Sequence, residues 1–180
     1  MRKLAKLITI AISNRWPLVL LIEGNGSRSS DPLPVPPIVN YTRARWDVFE
    51  GLCELSGWAP TVAIAVGTAR DSHAAMTFLC DLTIATKKSE FGSNLDSSEC
   101  EPAESLAERG NIDVVVEDIQ EAVSAAQRFL TYWQEDISDF AASDSADDIS
   151  NIVPENRRRP YDMRKVIAAF ADKDSVFEVG

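Results

Sequence analysis

Apolar residues near the start of the chain recur at helical spacing. Leu4, Leu7, Ile8, Ala11 and Ile12 share a face, with Arg2, Lys3 and Lys6 set among them. This periodicity predicts an amphipathic helix over residues 2–14 lying on a sheet and ended by Pro17. Leu18–Ile22 is an unbroken apolar run, the pattern of a strand buried on both faces, and Glu23-Gly24-Asn25-Gly26-Ser27-Arg28 is the loop that leaves it. Pro32, Pro34, Pro36 and Pro37 predict an extended crossing from Ser29 to Asn40 instead of a helix. Trp46, Val48, Phe49, Leu52, Cys53 and Leu55 then give helical spacing over residues 42–56, stopped by Gly57 and Pro60.

The stretch from Val62 to Thr86 organises the rest. An apolar run, Val62–Val66, reaches Gly67, crosses a short polar turn, enters Ala-rich helical sequence and returns to a second apolar run at Leu82–Ala85. Two parallel strands joined by a helix require a right-handed crossover, and the turn after the first strand points unpaired N–H groups beyond the sheet. Such a turn either holds an oxygen carrying negative charge or simply links one βαβ unit of an α/β core. The same two readings apply to Gly24 and Gly26: half of an anion-binding nest, or an ordinary loop.

Farther along, Glu90-Phe91-Gly92 reads as a short strand, Pro102–Arg109 as a weak helix and Asn111–Val116 as a strand. Asp118 is the expected N-cap of a strong helix from Ile119 to Trp133, with Ala122, Val123, Ala126, Phe129, Leu130 and Trp133 on one face. Residues 135–151 are dominated by Asp, Ser and Ala and read as a solvated linker. Helical spacing resumes from Tyr161 to Ala171 through Met163, Val166, Ile167 and Phe170.

Composition narrows the classes. With 180 residues, 45% hydrophobic, the chain has enough apolar sequence for one core. A net charge of -10 argues against nucleic acid or an anionic membrane as the main partner. Cys53, Cys80 and Cys100 show no CxxC spacing, two of them lie inside apolar patterns, and His73 is the sole histidine. That set favours a reducing compartment, hence the cytoplasm, and offers no zinc site. Met1-Arg-Lys before LITIAI has the superficial form of a secretory signal, but Asn14-Arg15 breaks the run and no small-residue cleavage site follows. Pro17–Ile22 is too short to span a bilayer.

Three segments carry a resemblance. Leu21-Ile22-Glu23-Gly24-Asn25-Gly26-Ser27-Arg28 is similar to a strand followed by D-S-G-G-A-R, and Gly67-Thr68-Ala69-Arg70-Asp71-Ser72-His73-Ala74-Ala75 stands where relatives have G-P-C-A-G-G-A. Val153-Pro154-Glu155, then Arg159-Pro160-Tyr161-Asp162-Met163-Arg164-Lys165-Val166-Ile167 and Asp174 to Val179, resemble V-P-x…R-x-P-Y-D-x-R-x-V-I…D-x-x-S-x-x-E. Together they resemble the beta-type carboxyltransferase subunit of biotin-dependent acyl-CoA carboxylases, in the crotonase-like superfamily. The last segment is the most specific of the three.

The resemblance implies an α/β fold, an incomplete crotonase-like (ClpP/crotonase) ββα spiral. It divides the chain into a partial N-terminal carboxyltransferase domain over residues 1–134, an acidic linker over 135–160, and a helix opening a second half over 161–180. Full members are roughly two to three such domains long, so the chain is expected to be a short paralogue, a split gene product or a fragment. Unfinished strand edges should then favour association.

The reaction implied moves a carboxyl group from carboxybiotin to the α-carbon of an acyl-CoA through the thioester enolate. The resemblance places the oxyanion donors at the backbone N–H groups of Ser72 and His73, where it puts the family's paired glycines. Gly24, Asn25, Gly26 and Gly67 would line the pocket, with Arg28 on a CoA phosphate and Arg157–Arg159 meeting either CoA or a partner. Biotin is carried by a partner, acyl-CoA is the substrate, and no metal is implied. The partners are a biotin carboxyl carrier protein and a biotin carboxylase in a homo- or hetero-oligomer. The His73 imidazole is either a general base or a packed side chain, and Asp71 is expected to cap the helix. Two alternatives stay open: a degenerate CoA-binding or assembly subunit without turnover, and another crotonase-like acyl-CoA enzyme such as a decarboxylase or hydratase.

Overall fold

A computed structural model of the chain describes residues 2–25, 39–93, 100–133, 152–156, 158–172 and 175–179. Residues 134–178 cluster as a unit apart from Met1–Trp133. The first unit contains α1 (Arg2–Asn14), β1 (Leu18–Gly24), α2 (Val39–Leu55), β2 (Thr61–Arg70), α3 (Ser72–Phe78), β3 (Leu82–Thr86), β4 (Glu90–Gly92), β5 (Glu101–Pro102), α4 (Ala103–Glu108), β6 (Val114–Val116) and α5 (Ile119–Thr131).

Strand β2 is the hub. Over Val62 to Ala65 it pairs in parallel with β1 on one side (Val19↔Val62, Ile22↔Ala65) and with β3 on the other (Val62↔Leu82, Ala65↔Ala85). Its far end, Thr68 to Arg70, pairs with β4, which carries β5 antiparallel, while β6 extends the sheet from β3. Residues Thr61–Ala65 and the whole of β3 are buried, as expected of parallel strands covered on both faces. Ile8 of α1, Val48 and Leu52 of α2, and Ala63 and Ala65 of β2 share one core cluster. Helix α5 packs against β2, β3 and β6 with Ala122 and Ala126 buried.

Two reciprocal pairs fasten the starts of the buried strands. Thr61 N–H and Oγ1 both donate to Asp81 Oδ2, at 2.7 and 2.8 Å, and Asp81 N–H donates back to Thr61 Oγ1 at 2.9 Å. Thr83 and Asp113 repeat the arrangement one strand along, at 2.7, 2.7 and 2.9 Å. Each Asp immediately precedes a strand, and its carboxylate satisfies an N–H at the start of the strand before, the first of β2 and the second of β3. Asp118 caps α5 as the sequence indicates, accepting from Gln120 and Glu121 N–H.

Several expectations change. Strand β1 alternates: Leu20 and Ile22 are buried, while Val19 and Leu21 are 41% and 63% exposed. Among the described residues its second face is uncovered, so an apolar run did not mean burial on both faces. Strand β2 runs through Gly67 to Arg70, which shrinks the predicted polar turn to one residue, Asp71. Helix α2 starts at Val39, inside the segment expected to be extended, because its first residues lie beyond Pro37 and keep their N–H groups. Pro102 is the N-cap of α4 in extended conformation, not its first helical residue. The three cysteines are free, with Cys53 exposed and Cys80 partly buried.

The second unit holds α6 (Met163–Phe170). The specific C-terminal segment of the resemblance does structural work here. Asp162 caps α6 by accepting from Arg164 N–H at 3.0 Å, and Arg164 Nη2 donates to Glu178 Oε1 at 2.6 Å. The same Glu178 charge holds the exposed Arg164 guanidinium above its ordinary pKa, through the hydrogen bond first. A cavity of about 550 Å³ lies beside this segment, lined by residues that include Arg159, Tyr161 and Lys165.

Candidate functional site

The candidate site is where β1 and β2 end and α3 begins. Strand β2 stops at Arg70, and the chain reverses into α3 through Asp71 alone, at φ 50° and ψ −115°. A side chain adopts that region only under strain, of about 1–3 kcal/mol. The glycine-favouring position is therefore Asp71, one residue ahead of the pair assigned from the resemblance. Its neighbours hold it in place: Asp71 N–H donates to Gly92 O at 3.0 Å and Ser93 Oγ donates to Asp71 Oδ1 at 3.1 Å. Asp71 occupies the N-cap position but makes no side-chain cap, a correction to the expected role.

Because the carboxylate of Asp71 is turned to Ser93, the first turn of α3 keeps open donors. The first helical bond is Ala75 N–H to Asp71 O at 2.9 Å. Among the described residues, the N–H groups of Ser72 and His73 reach no acceptor. Ser72 is buried and His73 half-buried.

Gly24 faces this turn from β1. A Cβ built on it would stand 2.7, 2.8 and 2.9 Å from Nε2, Cε1 and Cδ2 of His73, so the imidazole presents its Nε2 edge to bare backbone. At the other end of the ring, the buried Nδ1 has no hydrogen-bond partner among the described residues. Such an orphan costs about 1–3 kcal/mol, so packing and not hydrogen bonding holds the ring. Gly67 makes the matching close approach on β2: a Cβ there would lie 2.8 Å from Glu23 Oε1. The imidazole thus lies against Gly24, while the carboxylate of the exposed Glu23 lies over Gly67.

Of the residues named from sequence, Gly24, Gly67, Ser72 and His73 come together at this end of the sheet. Asn25 follows directly on β1, while Gly26, Arg28 and Arg157 fall outside the described residues. Glu23 and Asp71 were not singled out as site residues. An isolated glycine within a strand pattern, as at Gly67, was the available signal that another group approaches closely. Among the described residues no cluster of His, Cys, Asp and Glu is arranged to hold a metal ion, and no helix is long and apolar enough to cross a membrane.

A family model described as a carboxyl transferase domain matches residues 1–180. An uncharacterized carboxylase of Bacillus subtilis (strain 168) is 23% identical over 198 residues, covering 98% of this chain and 38% of the relative. The beta6 subunit of a biotin-dependent acetyl-/propionyl-coenzyme A carboxylase of Mycobacterium tuberculosis (strain ATCC 25618 / H37Rv) is 24% identical, covering 93% of this chain and 37% of the relative. The chain thus spans under two-fifths of the length of either. Among solved structures, a single-chain, multi-domain long-chain acyl-CoA carboxylase superposes with a TM-score of 0.82 at 28% identity, covering 98% of this chain and 18% of that one. The fold is the crotonase-like α/β fold expected from the sequence.

Proposed function

This chain belongs to the carboxyl transferase domain family, and from that membership we propose that it is a carboxyltransferase component of a biotin-dependent acyl-CoA carboxylase. Carboxybiotin on a partner carrier protein supplies the activated carboxyl group, and the acceptor is the α-carbon of an acyl-CoA. This chain's part is to receive the thioester carbonyl oxygen on the N–H groups of Ser72 and His73 as the α-proton leaves and charge builds on that oxygen. Fixed donors of this kind contribute on the order of 10²–10³ in rate each. Gly24, Asn25 and Gly67 line the approach, and the resemblance alone adds Gly26, and Arg28 on a CoA phosphate. The partners are a biotin carboxyl carrier protein and a biotin carboxylase, within an oligomer in the cytoplasm, where three free cysteines stay reduced.

The family match over residues 1–180 carries this reading. The open amides at the start of α3, opposite the side-chain-free backbone of Gly24, support the site. The test supplies the chain with biotin carboxylase, carrier protein, ATP, labelled bicarbonate and acetyl-CoA. Label in a carboxylated acyl-CoA, dependent on this chain, is the expected result. Binding of acetyl-CoA without transfer would instead establish the second reading, a CoA-binding or assembly subunit without turnover. The packing of the imidazole onto Gly24 favours that second reading, because the ring takes up space beside the donors.

A further inference from the structure

We propose that the cavity in the second unit is a binding site for a small organic phosphate, with Arg159 and Lys165 meeting the phosphate group and Tyr161 lying beside the organic part. The cavity, of about 550 Å³, is built wholly from residues between 152 and 165. That volume falls in the range of roughly 300–1,000 Å³ typical of small-molecule sites and exceeds what a bare ion fills. Its lining combines the apolar Ile152, Val153 and Pro154 with the polar groups of Arg159, Tyr161 and Lys165.

Charge identifies the ligand as an anion. Across residues 155–165 the sequence carries Arg157, Arg158, Arg159, Arg164 and Lys165 against Glu155 and Asp162, five positive charges to two negative, in a chain whose net charge is -10. Two of these charges are already engaged: Arg164 donates to Glu178, and Asp162 accepts from Arg164 N–H at the start of α6. Arg159 and Lys165 are not. Although Glu155 and Asp162 also line the cavity, neither cation forms an ion pair among the described residues. Their backbone is nonetheless fixed, because Arg159 N–H donates to Asn156 O at 2.9 Å and Lys165 N–H to Asp162 O at 3.2 Å. A guanidinium offers a planar fork of donors and an ammonium a compact charge, and the two together suit the oxygens of a phosphate. Tyr161, 48% exposed, offers a ring face and a hydroxyl to whatever carries that phosphate.

The inference does not depend on the reaction proposed above, and its test uses the whole protein. Adenosine 3′,5′-bisphosphate, adenosine and inorganic phosphate are titrated by calorimetry into the parent, Arg159→Gln, Lys165→Gln, Lys165→Arg and, as a control for bulk charge, Lys3→Gln. The bisphosphate should bind, with adenosine and inorganic phosphate each weaker by about 10-fold or more. Arg159→Gln and Lys165→Gln should each weaken the bisphosphate by about 10-fold, the loss of one charged hydrogen-bond donor. Lys165→Arg, which keeps the charge, and Lys3→Gln, on α1, should stay within about 3-fold of the parent. No binding of the bisphosphate, an equal affinity for inorganic phosphate, unchanged affinity in both cavity variants, or the same loss in Lys3→Gln would each overturn the inference. Competition by coenzyme A then separates two carriers of such a phosphate. Displacement of the bisphosphate assigns the cavity to coenzyme A and its thioesters, failure to displace it assigns the cavity to a free nucleotide, and either result supports the site.

Discussion

Thr61 and Asp81 hold each other through three reciprocal hydrogen bonds at the point where β2 and β3 begin. The Thr61 side chain is fully buried, so its backbone and hydroxyl have no water to fall back on when the carboxylate is removed. Asp81→Ala should therefore cost about 2 kcal/mol in a urea titration, well above an ordinary surface substitution. Because Ser56 Oγ also donates to Asp81 Oδ1 at 2.6 Å, the loss should loosen the end of α2 as well. Hydrogen exchange at Thr61 and Ser56 reads this out, and unchanged protection at both would contradict the assignment.

Asp71 carries a conformation suited to glycine. Asp71→Gly should raise stability by about 1 kcal/mol, the relieved strain exceeding the lost contact to Ser93 Oγ. Asp71→Val, whose branched carbon fits that region worst, should lower it. Thermal melts of the two variants should move in opposite directions.

Adjacent residues of β1 differ sharply in burial, which makes them a matched pair. Ile22→Ala should destabilise by about 2–4 kcal/mol, while Leu21→Thr, on the 63% exposed side, should stay within about 0.5 kcal/mol. A large loss at Leu21 would mean that this face is covered in solution. Light scattering on both variants separates self-association from an intramolecular cover.

The Cys80 thiol is pushed up to about 12, by burial first and by the Asp81 charge besides, with the polar Thr61 side chain acting the other way. At pH 8.5 iodoacetamide should alkylate the exposed Cys53 and spare Cys80. The folded-state pKa is raised, so the stability tied to this thiol is complete below its unfolded value of about 8.5. It is lost as pH climbs from there to about 12. Denaturation midpoints in Cys80→Ala should fall less steeply over that range than in the parent.

Long periodic elements were legible before any coordinates: α1, α5 with its Asp118 cap, and the buried strand around Ile64. What escaped the sequence was decided across space. Gly67-Thr-Ala-Arg reads as a polar turn in isolation and becomes strand because β4 pairs with it. The reciprocal Thr–Asp pairs join residues 20 and 30 positions apart, and no local periodicity marks them. At the candidate site, four of the residues named from sequence lie at one end of the sheet, but the strain falls on Asp71, since only the backbone angle shows which residue makes the reversal. The P-Y-D-M-R segment suggested kinship correctly, although its Asp and Arg serve as cap and ion pair within the second unit.

The position of β2 between three partners also sets an order of assembly. Its pairing with β3 closes a short connection through α3, whereas pairing with β1 must bring together Leu18 and Thr61 across the whole of α2 and the segment before it. Chain entropy favours the shorter closure, so the β2–α3–β3 crossover unit should condense first and present an edge on which β1 docks. In that sequence of events the contact between Gly24 and His73 forms only when β1 docks, so the candidate site is completed after the crossover unit that carries His73.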